Sequence, residues 1–88
     1  MKRKENFMLR QVADTWVVLP LGQAGLNFNG MLSLNGSGAL LWEKLEQDSS
    51  RELLADTLAE EYDVERKTAL RDVDAFLEKL RQAGCLEE

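Results

Sequence analysis

Eighty-eight residues, 44% hydrophobic and 31% charged, suit one globular domain with a thin core and leave no room for a second. The net charge of −5 is uneven: residues 1–42 carry four basic and two acidic groups, residues 43–88 seven basic and fourteen acidic, which disfavours a phosphate-backbone partner. With no histidine and a single cysteine, Cys85, the chain lacks the usual base of a nucleophilic dyad, an internal disulfide and a soft-metal ligand set, so no cofactor or metal is expected.

Residues 1–6 are basic, and no apolar signal core follows. They are expected to form a loose, solvated arm, with residues 7–88 as the folded domain. The lone thiol fits a reducing compartment, and a cytoplasmic location is expected. Residues 15–42 run for 28 positions without a charge, yet Pro20, Gly22, Gly25, Gly30, Gly36 and three asparagines break the run, so it is not read as a membrane span.

Three strands are predicted. The first covers residues 7–12, with Phe7, Leu9 and Gln11 alternating against Met8, Arg10 and Val12. Ala13-Asp14 is short enough for a hairpin turn. The second strand, residues 15–19, is β-branched and aromatic, and Pro20 ends it. After a loop, Leu26 to Leu34 holds both an alternating pattern and the turn dipeptide Asn29-Gly30. A bend or bulge at Gly30, followed by a third strand of Met31, Leu32, Ser33 and Leu34, reconciles the two.

Three helices follow. Asn35 or Ser37 is expected to cap the first, which buries Leu41, Trp42 and Leu45, with Gly38 permitting close packing near its start. Ser49 and Glu52 have capping-box spacing at the start of the second, whose buried stripe is Leu54, Leu58 and Tyr62. Asp63-Val64 makes the turn. The third helix runs from about Glu65 to Ala83, with Gly84 as its C′ residue and Cys85 folding back on Leu80. Strands followed by helices make an α+β domain, a three-stranded antiparallel sheet preceding three helices.

Little here is equipped for catalysis. Ser37, between two glycines, suits a helix cap better than a nucleophile, since its partners are missing. The carboxylate pairs Glu60-Glu61 and Asp72/Asp74 do not face one another on a helix and read as solvated surface. Helices two and three have helix-turn-helix spacing, but a near-neutral third helix on an acidic body is poor DNA-binding equipment.

The sheet edge says more. Edge strands are ordinarily guarded by charge or proline, and the third strand carries neither, so it is open either to an added peptide strand or to a covering helix or twin subunit. On the third helix, Leu70 and Leu77 flank the buried arc beside Arg66, Asp74 and Arg81, while Thr68, Asp72 and Lys79 form the other flank. The first flank is taken as a groove wall, with Leu70 equally readable as core.

Leu34-Asn35, Gly38, Leu41-Trp42 and Leu45 resemble the helix-entry signature of PqqD-like proteins. Leu54, Leu58, Tyr62-Asp63-Val64, Asp72-Val73, Phe76-Leu77, Leu80, Gly84 and Leu86 continue the likeness over most of the chain. The resemblance, also to what is called the RiPP precursor peptide recognition element, implies a fold similar to a winged helix-turn-helix. It implies a non-catalytic module that binds the leader segment of a ribosomally made precursor peptide and presents it to a modifying enzyme, often a radical S-adenosylmethionine enzyme. The leader would add as a strand to Met31, Leu32, Ser33 and Leu34, with Leu70, Arg71, Asp74 and Leu77 lining or rimming the groove. A monomer or weak homodimer is expected; a winged-helix DNA binder and a structural homodimer subunit are the alternatives. Residues 23–30 depart from the tight second hairpin of the family.

Overall fold

The computed structural model describes residues 1–22 and 32–87. In order these form β1 (Lys2–Arg3), β2 (Phe7–Val12), β3 (Thr15–Pro20), β4 (Leu32–Leu34), α1 (Gly36–Lys44), α2 (Arg51–Tyr62), α3 (Arg66–Ala83) and β5 (Leu86–Glu87). β2, β3 and β4 make an antiparallel sheet in that order, and the three helices follow, the α+β arrangement expected from the sequence. The expected bend at Asn29-Gly30 and the strand residue Met31 lie outside the described residues.

The two-residue turn Ala13-Asp14 sets the sheet register, with Val12 opposite Thr15, Arg10 opposite Val17 and Phe7 opposite Pro20. Ala13 takes φ 56°, a left-handed conformation that its Cβ makes costly. On β3, Trp16 and Val18 pair with Leu34 and Leu32 of β4; Val18, Leu32 and Leu34 join Phe7 of β2 in the core, with Leu9 and Trp16 packed partly buried against it. The helices cover that face with Leu41, Trp42, Leu45, Leu54, Leu58, Val73 and Leu80, all buried.

Helix ends follow local chemistry. Asn35 caps α1, its Oδ1 accepting from Gly38 N at 2.8 Å. Gly84, at φ 76°, closes α3: Gly84 N–H donates to Arg81 O and Cys85 N–H to Leu80 O, the Schellman pair. Ser50, not Ser49, caps α2, its hydroxyl accepting from Leu53 N. Ser49 is occupied otherwise, its N–H donating to Met1 O at 2.7 Å, so the expected box with Glu52 does not form. Tyr62 is also not core: at the last turn of α2 it is 47% exposed, its hydroxyl toward Gly36.

The N-terminal segment lies against the domain. Lys2 and Arg3 pair with Glu87 and Leu86, Arg3 N–H donates to Leu45 O, and Lys4 N–H donates to Cys85 O. The Arg3 guanidinium lies over the Trp42 ring, 5.2 Å from its centroid. Backbone pairing with β5 and this stacking order residues whose composition alone reads as solvated. No helix among the described residues is long and apolar enough to cross a membrane.

Candidate functional site

The direction of each backbone group on β4 follows from the ladder. In an antiparallel pair, residues alternate between exchanging both hydrogen bonds and exchanging none. The two-residue turn makes Val12 and Thr15 a bonded pair, so Arg10 and Val17 are bonded as well. Leu21 N–H donating to Asn6 O at 2.8 Å continues the same phase. Val17 therefore directs its N–H and C=O at β2, and its other neighbour, Ser33, is a non-bonded partner. Leu32 and Leu34 bond to β3. Ser33 turns both backbone groups outward, to the side of β4 that has no strand neighbour among the described residues.

A side chain from α3 meets one of those groups. Lys79 Nζ donates to Ser33 O at 2.6 Å. Between this edge and α3 lies an open groove of about 560 Å³, walled by Ser33 and Leu34 on one side and Asp72, Ala75, Phe76 and Lys79 on the other. The hairpin residues Asp14 and Thr15 reach the end of the groove near Asn35. There it meets a second hollow of about 360 Å³, which Gly36, Tyr62 and Val64 help to line.

The groove wall is thus the opposite flank of α3 from the one expected. Asp74 is committed to Arg51 on α2, through Nε at 2.5 Å and Nη2 at 2.9 Å. Leu77 is buried at 2% exposure, Leu70 packs partly buried against the core, and Arg71 is exposed; none of them lines the groove beside β4. Of the expected site residues, Leu32 and Leu34 put their side chains into the core and Ser33 presents its backbone. Lys79, Asp72, Ala75 and Phe76 went unselected, although two of them were visible as the alternative flank. Choosing between flanks requires the direction in which α3 crosses the sheet, which helical periodicity does not contain.

Ionisable groups offer little for catalysis. Burial pushes the Cys85 thiol up to about 11, which makes it a poor nucleophile near neutrality. The Ser37 hydroxyl donates to Asn35 Oδ1 at 2.9 Å as part of the helix start. Among the described residues no group of three or more His, Cys, Asp or Glu is placed to hold a metal ion. Two cations of α3 are already engaged, Arg66 with Asp56 and Arg81 with Glu78, so the helix presents no continuous basic face.

Two solved structures share this architecture. One, described as TbiB1 in complex with the TbiA(beta) leader peptide, is 29% identical, with a TM-score of 0.75 over 99% of this chain and 95% of that one. The other, lasso peptide synthetase B1 complexed with the leader peptide, is 25% identical, with a TM-score of 0.73 over 99% of this chain and 96% of that one. A search of the curated proteins gives no match. The family model described as coenzyme PQQ synthesis protein D (PqqD) matches residues 15–86, which include β3, β4 and all three helices, and the chain belongs to that family.

Proposed function

We propose that this chain binds the leader segment of a ribosomally synthesised precursor peptide as an added strand on β4 and presents it to a modifying enzyme. The observation that carries the reading is Ser33, whose N–H and C=O point out of the sheet beside a groove. Two structures of similar architecture, each described as a complex with a leader peptide, support it. Leu32, Ser33 and Leu34, and Met31 before them, would form the paired edge. The Asp72, Ala75, Phe76 and Lys79 side of α3 would face the peptide, in place of Leu70, Arg71, Asp74 and Leu77. The role is non-catalytic, the chemistry belonging to the partner enzyme. A radical S-adenosylmethionine enzyme is the partner class suggested by the family resemblance. A cytoplasmic monomer or weak homodimer suits this role.

Ser33→Pro tests the reading. The lost N–H points away from β3, so the substitution removes no hydrogen bond within the sheet. The variant is expected to keep its fold by circular dichroism and to lose most affinity for the cognate leader. Full affinity in a folded Ser33→Pro variant overturns strand addition. The DNA-binding alternative predicts salt-sensitive retardation of duplex DNA, and the acidic body and engaged α3 cations argue against it.

A further inference from the structure

Among the described residues that line the β4 groove, Lys79 is the one cation, and its hydrogen-bond partner is a main-chain carbonyl. No carboxylate among the described residues forms an ion pair with it. The acids of the groove, Asp14 and Asp72, share the lining with Asn35 and Ser37, and Asp72 and Asn35 line the second hollow as well. An added strand that pairs with Ser33 competes with Lys79 for that carbonyl. An ammonium displaced from it would seek another acceptor at that point on the groove wall. Residues of the added strand next to the one paired with Ser33 would face the same side of the sheet as Leu32 and Leu34, toward α3.

We propose that Lys79 is a specificity-determining residue: it caps the Ser33 carbonyl while the edge is empty, and reads a carboxylate on the added strand next to the residue that pairs with Ser33. This inference rests on strand addition to β4. A carboxylate placed further along, toward Asn35, would meet Asp14 and Asp72 and be repelled. Attraction at one end and repulsion at the other fix the register of the strand as well as its composition. The cap also guards the edge. A lysine on the strand itself would do this permanently, whereas one on a helix releases the edge when a suitable partner arrives.

The experiment selects a random decapeptide display library against the full chain and against Lys79→Glu. Peptides selected by wild type are expected to carry Asp or Glu at one aligned position, and those selected by Lys79→Glu to carry Lys or Arg there. In a synthetic peptide from the wild-type pool, Glu→Gln at that position should weaken binding to wild type about threefold to fivefold. The same change should leave binding to Lys79→Met unaltered. Selected peptides that bind Ser33→Pro more weakly than wild type, yet show no acidic enrichment or lose equally on Lys79→Met, overturn the Lys79 inference and leave strand addition standing. Selected peptides that bind Ser33→Pro at full strength, or a selection that recovers none, overturn strand addition and this inference with it.

Discussion

Arg51 of α2 and Asp74 of α3 are joined by two hydrogen bonds across the helix pair, Nε to Oδ1 and Nη2 to Oδ2. The Arg51 guanidinium holds the Asp74 carboxyl below the ordinary aspartate value of 3.8, opposed in part by desolvation. A lowered carboxyl pKa contributes stability that is present above the unfolded value and lost as pH falls through the folded one. Asp74→Asn should therefore be less stable than wild type in urea at pH 7. The deficit should shrink as pH drops below 3.8 and vanish once the wild-type carboxyl is protonated. Leader affinity should not change, and a loss matching that of Ser33→Pro would return this flank of α3 to the binding site.

Ala13 offers a gain in stability. Its left-handed φ of 56° costs a non-glycine residue about 1–2 kcal/mol. Glycine removes that cost but adds about 0.5–1 kcal/mol of chain entropy. Ala13→Gly should stabilise the hairpin by about 0.5 kcal/mol net, read as a higher urea midpoint at unchanged m-value.

Gly38 behaves in the opposite sense. A Cβ there would lie 3.2 Å from Leu34 Cβ and 3.2 Å from Asn35 Oδ1, against the end of β4 and the cap of α1. Over-packing costs about 1–3 kcal/mol, and helix propensity returns at most about 1. Gly38→Ala is expected to destabilise by about 1 kcal/mol in equilibrium unfolding. A stabilised variant would mean that α1 can move off the strand.

Cys85 gives a pH signature on the alkaline side. Its folded pKa of about 11 lies above that of an unfolded thiol because burial disfavours the thiolate. The native state keeps the proton after the unfolded chain has released it. Stability is thus fully present below the unfolded pKa and falls as pH rises toward 11. Relative to Cys85→Ala, wild type should lose stability between about pH 9 and 11. Native alkylation by iodoacetamide at pH 8 should be far slower than in urea.

Features fixed by neighbours in the chain were legible before the structure. Gly84 could be assigned as a helix end, and the α1 cap narrowed to Asn35 or Ser37, because these roles depend on side-chain chemistry and backbone freedom within a few residues. The Ala13-Asp14 turn and the alternation of Phe7 and Leu9 are local in the same way. Ser49 and Ser50 were not separable, since either hydroxyl can cap a helix and the choice falls to Met1 O, 48 residues away. Lys2 and Arg3 read as solvated because β5 and Trp42, which order them, lie far along the chain. The guard of the sheet edge escaped for the same reason: it was sought on the strand, and Lys79 supplies it from a helix 46 residues on.

The outward turn of Ser33 has an arithmetic consequence. Within the described part of β4, a guest strand finds one residue with which to exchange backbone bonds, one donated and one accepted. Two such bonds contribute about 1–3 kcal/mol net, while micromolar affinity requires about 8 kcal/mol. Those two bonds fall short of that, so a guest's side chains against the α3 wall and the adjoining hollow must add to the grip. The sheet edge sets where a guest lies, and the walls decide which guest stays.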